Sequence, residues 1–251
     1  MNQVERHKSI QEILSRQDFV SLEELCARLD ASRATVRRDL IELEQSRIVK
    51  RVRGGVMSTN SREEVLDFKQ LSVSCQEEKT RIGQVTADLV KDGQTVILGG
   101  GSTVAEVAKY LLCRPIQIIT NSIPVAHLFW ECPQTEVTLT GGYLYPRLGI
   151  QFGPICERML NSISADVTIM GVRGITRNGL SDTSALSLGS IRAMMKSAER
   201  VVVVADHTKF GRNAMIHVAD LAELDQIVSD RYLAPEHREL LDGTGIPYIL
   251  A

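Results

Sequence analysis

The sequence predicts an α/β protein in two parts, a small helical domain followed by a larger domain built on a mainly parallel sheet. Three observations predict it. Three amphipathic helices and a short basic β-run fill the first 57 residues. From about Glu77 onward, helical stretches alternate with seven short apolar β-branched runs. Those runs do not alternate apolar with polar, which is the pattern of strands buried on both faces by helices. The length of 251 residues suits such a pair, and 43% hydrophobic residues supply a core although aromatics are only 4%.

Residues 4–15 form the first expected helix, with Val4, Ile10, Ile13 and Leu14 on its apolar side. Ser21 caps a second helix. Glu24 three residues on makes a capping box, and Leu22, Leu25 and Leu29 give the buried stripe. The turn Asp30-Ala31 leads to Ser32, another good N-cap. A third helix runs from Arg33 to about Ser46 and buries Val36, Leu40 and Leu43. "IVKRVRGGV", residues 48–56, alternates β-branched with basic residues and stops at Gly54-Gly55, as a hairpin does. Three helices and such a wing make a winged helix-turn-helix domain over residues 1–57. The polar stretch 58–76 reads as a linker with room for a short helix. Residues 77–251 form the α/β domain, with strands expected at 95–99, 116–120, 136–141, 166–171, 200–206, 225–230 and 247–250.

The net charge of −2 hides an asymmetry. Between Ser32 and Arg53 seven basic residues face three acidic ones, a balance of +4 that leaves −6 on the rest. A basic segment on an acidic body predicts a polyanionic partner for that segment alone. On the third helix Val36, Leu40 and Leu43 face inward, so Arg33, Thr35, Arg37 and Arg38 lie on the outer side or its flanks. Side chains at the start of a recognition helix reach base edges in the major groove, and an arginine fork grips guanine bidentately. Lys50, Arg51 and Arg53 on the wing are placed for phosphates. Asp39 is expected to pair with a neighbouring arginine and orient it. A helical hairpin with a solvated charged face is the competing structural account. It leaves unexplained why the caps, the helix lengths, the basic helix and the basic wing all agree.

"ILGGGSTVAEVAKYL", residues 97–111, is a strand, a glycine turn and a helix. Gly100 and Gly101 let backbone approach an anion, Ser102 and Thr103 add hydroxyl donors, and the helix start supplies free N–H groups. The stretch is not a dinucleotide fingerprint, since Val104 stands at the third glycine position, and no Gly-Lys-Ser/Thr follows to make a P-loop. Other strands end in polar or glycine-rich words: Thr120-Asn121-Ser122, Gly141-Gly142, and Asp206 with Lys209. Ligands of open α/β sheets bind outside the carboxyl ends of the strands, so these loops are expected to share one pocket. Each also has a plain structural role open to it: a helix cap before Pro124, a turn, a surface charge.

The segment from Arg6 to Val56, with Ser32-x-x-Thr35-Val36-Arg37-Arg38-Asp39-Leu40 and then Arg51-Val52-x-Gly54-Gly55, resembles the N-terminal domain of DeoR-type bacterial transcription regulators. The resemblance continues through nearly the whole chain in EEKTRIG (77–83), TNS (120–122), TGG (140–142), GLSD (179–182) and ADHTKFGR (205–212). It implies a sensor domain similar in fold to ribose-5-phosphate isomerase, a phosphorylated sugar as effector, double-stranded operator DNA as partner, and repression of a sugar operon. The implied effector site comprises Gly100, Gly101, Ser102, Thr103, Thr120, Asn121, Ser122, Gly141, Gly142, Arg173, Asp182, Asp206 and Lys209. The chain departs from the family pattern at Gly99, usually aspartate, and at Gly171-Val172-Arg173-Gly174, usually Gly-Ala-Asp-Gly. It departs again at Ser187 and Ile191, where an acid and a lysine are common. Loss of these carboxylates argues against isomerase activity, so no catalytic residue is expected. An isomerase-like enzyme with a DNA-binding appendage is the alternative. Arg173 has two roles open to it, a second acidic group of the ligand or an ion pair with Asp182.

No apolar run approaches the ~20 residues of a membrane span, and the polar N-terminus lacks a secretory segment, which predicts a cytoplasmic protein. Five scattered cysteines with no C-x-x-C spacing predict buried free thiols rather than zinc or disulfides. Neither metal nor cofactor is expected. Helix-turn-helix readers act on paired half-sites, so a homo-oligomer, dimer or tetramer, is expected.

Overall fold

The computed structural model describes residues 3–16, 19–45, 49–52, 55–58 and 67–251. Ser46, Ile48, Arg53, Gly54 and the linker up to residue 66 lie outside the described residues, as do the side chains of Val4 and Lys50. The chain divides into compact units of residues 1–65 and 66–251.

The first unit holds α1 (Gln3–Arg16), β1 (Phe19–Ser21), α2 (Leu22–Leu29), α3 (Arg33–Gln45), β2 (Val49–Val52) and β3 (Gly55–Ser58). The expected caps form: Ser21 Oγ accepts from Glu24 N–H at 3.1 Å and Ser32 Oγ from Thr35 N–H at 3.2 Å. Asp30 turns the chain out of α2 in the left-handed region. Ile10, Leu14, Leu25, Leu29, Val36, Leu40 and Leu43 bury the predicted stripes in one core with Val20, Val49 and Val56. The wing is β2 paired antiparallel with β3, and β1 adds a third strand on the far side of β3. Asp39 differs from the expectation. It is buried, and its partner is Arg6 of α1, which holds it through Nε at 2.7 Å and a terminal nitrogen at 3.0 Å. The carboxylate is a clamp between α1 and α3, because a buried charge needs a bidentate partner more than an exposed arginine needs orientation.

The second unit opens with α4 (Phe68–Val73) and α5 (Gln76–Ala87), followed by β4 (Thr95–Leu98), α6 (Ser102–Tyr110), β5 (Gln117–Thr120), α7 (Ile123–Leu128) and β6 (Glu136–Leu139). A hairpin of β7 (Tyr143–Tyr145) and β8 (Ile150–Phe152) leads to α8 (Pro154–Leu160), β9 (Ala165–Gly171), β10 (Gly174–Thr176), β11 (Gly179–Asp182) and α9 (Ala185–Lys196). The chain ends with β12 (Ala198–Val204), β13 (Ile216–Ala219), β14 (Gln226–Ser229), α10 (Pro235–Thr244) and β15 (Tyr248–Leu250). The seven predicted strands form one sheet in the order β15-β14-β12-β9-β4-β5-β6, and every pairing in it is parallel. Both faces are covered. Val96, Leu98, Val202 and Val204 enter one apolar cluster, while Ile97, Val201 and Val203 enter clusters on the other side. Continuous apolar runs are what a strand buried on both faces requires.

Helix α4 lies within the stretch read as a linker, and it packs on the second unit. Leu71 is buried, Phe68 packs against the main core, and the Phe68 N–H donates to Arg147 C=O at 2.9 Å. The antiparallel group β10-β11-β13 was not anticipated, nor was the β7-β8 hairpin. All five cysteines are free, but only Cys132 and Cys156 are buried, and Cys113 is exposed. Among the described residues no helix is long and apolar enough to cross a membrane, and no cluster of side chains could hold a metal ion.

Candidate functional site

In the first unit, α3 presents its polar face outward because Val36, Leu40 and Leu43 occupy the core. Arg37 and Arg38 are exposed, and neither side chain has a hydrogen bond or ion pair among the described residues. Arg33 is exposed too, but it reaches Glu23 of α2 at 2.5 Å, and Thr35 shares a hydrogen bond with the Ser32 hydroxyl at 2.9 Å. On the wing, Arg51 is tied to Glu44 of α3: its N–H donates at 3.0 Å and its Nε at 2.7 Å. The Arg51 backbone N–H and then its guanidinium hold the Glu44 carboxyl below its ordinary pKa. That pair braces wing against helix. Lys50 lies on β2 with its side chain undescribed, and Arg53 lies outside the described residues.

In the second unit the expected loops do gather at the carboxyl ends of adjacent strands. β4 neighbours β5 and β9, and β9 neighbours β12. Helix α6 begins at Gly101, whose φ of +119° suits only glycine, and no side chain caps it. Ser102 and Thr103 are buried in its first turn. The α6 start therefore keeps uncapped N–H groups and the positive end of a dipole. Gly100 has a different reason to be glycine: a Cβ there would lie 2.2 Å from Ile150 of β8, so the β7-β8 hairpin closes over this turn.

Asn121 borders this cradle. It is buried, its amide nitrogen donates to Gln151 C=O at 2.8 Å, and its Oδ1 has no partner among the described residues. That oxygen lies 3.9 Å from where a Cβ on Gly100 would sit. A buried acceptor without a donor is costly, and a ligand hydroxyl would satisfy it. Its neighbours are used locally: Thr120 Oγ1 accepts from Ser122 N–H at 3.0 Å, and Ser122 caps α7 through Val125 N–H at 3.3 Å. Gly141 and Gly142 form a left-handed turn (φ +70° and +116°) into the β7-β8 hairpin, and a Cβ on Gly142 would lie 2.6 Å from Phe152 C=O. The structure thus gives those two glycines a turn function.

After β12, Asp206 is buried and caps the turn His207–Lys209, accepting from Thr208 N–H at 3.1 Å and from the Thr208 hydroxyl. Asp230 at the end of β14 pins the same turn through His207 N–H at 2.7 Å. Burial pushes the Lys209 ammonium below its ordinary pKa; Asp206 opposes this, and Lys79, Arg173 and Arg212 add to it. Arg173 and Asp182 do not pair: Asp182 accepts from Ser184 N–H at 3.1 Å, and Arg173 has no ion pair among the described residues.

Two cations beside this site were not singled out from the sequence, Lys79 and Arg212. Lys79 is buried on α5 and donates to Leu71 C=O and Ser74 C=O, both at 2.6 Å. Burial lowers its pKa and Asp206 opposes that shift. The signal was present: Lys79, Ile82, Gly83 and Thr86 share the buried face of α5, and a lysine on such a stripe asks for a reason.

Comparison with known proteins bears on both units. Residues 6–62 match the DeoR-like helix-turn-helix domain and residues 74–231 the DeoR C terminal sensor domain. The chain is similar to the HTH-type transcriptional repressor GlcR of Bacillus subtilis (strain 168), 31% identical over 250 residues, covering 100% of this chain and 97% of that one. It is also 31% identical over 232 residues to the glycerol-3-phosphate regulon repressor of Escherichia coli (strain K12), with 92% of each chain covered. Among solved structures, ribose 5-phosphate isomerase A of Methanocaldococcus jannaschii matches 55% of each chain at 18% identity and a TM-score of 0.40. Two family domains in order, and full-length relatives at this identity, place the chain in the DeoR family of helix-turn-helix regulators.

Proposed function

We propose that this protein represses a sugar-metabolism operon and leaves its operator when a phosphorylated sugar occupies the α6 cradle. The observation that carries the sensing half is the uncapped α6 start beside the partnerless Asn121 Oδ1. Uncapped N–H groups suit a phosphate, and the acceptor suits a sugar hydroxyl. Lys209 adds a point charge from the next loop but one. Arg37 and Arg38 are left free for base edges, and the protein acts as a homo-oligomer on paired half-sites. The repressor names of its relatives point the same way.

Turnover is the alternative. An isomerase needs a carboxylate base near the sugar carbons, and this chain has Gly99 and Arg173 at the two positions where the family resemblance would put one. Asp206 is committed to Thr208. The experiment is footprinting of the purified protein on the DNA flanking its own gene, repeated across a panel of sugar phosphates, with each sugar recovered and analysed. Release of the footprint with the sugar unchanged is the expected result. Conversion of the sugar would favour the enzyme, and a footprint indifferent to every phosphorylated sugar would end the sensing reading.

A further inference from the structure

The loops after β9 and β12 hold three cations, and none of them is ion-paired among the described residues. Arg173 follows β9, and Lys209 and Arg212 follow β12, its parallel neighbour. The loops are laced together. Gly211 N–H donates to Ile175 C=O at 2.9 Å, Ile175 bridges Phe210, and a Cβ on Gly174 would lie 2.3 Å from Arg212 C=O. Their backbones therefore cannot separate to relieve repulsion. None of the three side chains has a hydrogen bond or ion pair among the described residues. Asp182 accepts from Ser184 and Thr183, and Asp206 accepts from Thr208 while its charge offsets part of the positive charge around Lys209. Arg173 and Lys209 are half-buried and Arg212 is exposed, and an anion from outside would ease the repulsion that Asp206 leaves unbalanced.

We propose that the effector carries two separated acidic groups, a phosphate for the α6 start and a second oxyanion, carboxylate or phosphate, for Arg173 and Arg212. This rests on the phosphosugar reading above and adds to it. The two subsites lie side by side: the Cβ position of Gly171, at the end of β9, is 3.8 Å from Gly100 C=O. Their chemistry differs. The cradle end offers N–H donors, hydroxyls and the Asn121 acceptor, which suits a phosphate ester with its neighbouring hydroxyl. The Arg173 end offers donors and positive charge, which neutral sugar hydroxyls cannot neutralise. Guanidinium forks match the paired oxygens of a carboxylate or phosphate. Lys79, Arg173 and Arg212 all act on the Lys209 ammonium against the single opposing charge of Asp206, which agrees with a site open to an anion.

The test compares matched probes on the full chain by calorimetry. The pairs are glucose 6-phosphate with 6-phosphogluconate, fructose 6-phosphate with fructose 1,6-bisphosphate, and ribose 5-phosphate with ribulose 1,5-bisphosphate. At least one two-acid probe is expected to bind about tenfold or more tighter than its partner, the lower end for hydrogen bonds to a charged group. The carboxylate and bisphosphate arms tell which oxyanion the site takes. Arg173→Ala should bring that ratio close to one, and Arg173→Lys should restore part of it. The thermal transition of each ligand-free variant shows whether the fold survives. Monophosphates bound as tightly as their partners mean that one phosphate satisfies all the cations, and they overturn this inference while leaving the sensor reading standing. A preference that survives Arg173→Ala also overturns it. Binding of none of the six overturns both.

Discussion

At the scale of single residues, the cations of this chain sort by whether the protein has already matched them. Arg6 is matched by Asp39, Arg51 by Glu44 and Arg33 by Glu23, and these pairs hold helices and wing in place. Arg37 and Arg38, on the outer face of α3, have no such match among the described residues. Replacing either by alanine should weaken specific operator binding by about 1–3 kcal/mol, the value of a bidentate base contact, and should relax the preference at one base pair. Footprinting on wild-type and singly altered operators measures both, and unchanged affinity in both variants would remove α3 from the groove. Arg51→Ala should act differently, loosening the wing from α3 and lowering affinity for all sequences alike. Lys209 gives a prediction in pH. Its folded pKa lies below the ordinary 10.5, with burial as the first cause, so it sheds its proton at a lower pH than a free lysine. A bound anion favours the protonated form. Effector binding should therefore take up protons and weaken as pH rises toward 10.5, and calorimetry in buffers of different ionisation heat checks the sign. Lys209→Arg, which cannot deprotonate in this range, should flatten the profile.

At the scale of elements, α4 decides where the sensor begins. The polar composition of residues 58–76 left room for a short helix but not for its packing on the second unit, because six residues with one buried leucine leave a faint pattern. Its role became visible only through Lys79, whose ammonium closes on the carbonyls at the end of α4. A chain starting at residue 67 should fold and bind effector. One starting at residue 77 should be markedly less stable, since it gives up Leu71, worth about 1.5–3 kcal/mol of burial, and strands a buried ammonium. Thermal melting of the two fragments measures the difference, and equal stability would make α4 a mere appendage. The same contrast explains what the sequence showed of the fold. All seven parallel strands were legible, the central ones because burial on both faces demands unbroken apolar runs, although β6 at the sheet edge is mostly exposed. The strands β10, β11 and β13 were not, because each is only three or four residues long and interleaves its core residues, Ile175, Leu180, Val218 and Ala219, with Gly174, Gly179 and Ser181, which meet close backbone neighbours. Of the site, GGGST and Asn121 were legible as polar words at strand ends. That Ser122 and Asp206 cap turns, that Gly142 makes one, and that Arg173 stands unpaired depend on contacts between loops distant in sequence.

At the scale of the whole molecule, a DNA-reading unit and a sensing unit on one chain make sense only if their ligands are thermodynamically linked. The α6 cradle and α3 belong to different compact units, so damage to one can be separated from damage to the other. Ser102→Ala removes a hydroxyl donor and Lys209→Ala a cation. Each should weaken effector binding by about 1.5–3 kcal/mol if the contact is a hydrogen bond to phosphate. Operator affinity without effector should stay near the wild-type value, because neither residue lies on α3 or the wing. The effector shifts the operator equilibrium only by its differential affinity for the free and DNA-bound states, and the coupling is reciprocal. Whatever factor saturating effector takes from operator affinity, saturating operator must take from effector affinity. Anisotropy of labelled operator across an effector titration, and calorimetry of effector with and without operator, supply the two factors. In the Ser102 and Lys209 variants the effector curve should move to higher concentration, while saturating effector still releases DNA to the same extent. If release is instead lost at saturation, these side chains transmit the signal as well as bind the ligand. If the curves do not move at all, the cradle is structural and the sensor site lies elsewhere on the second unit.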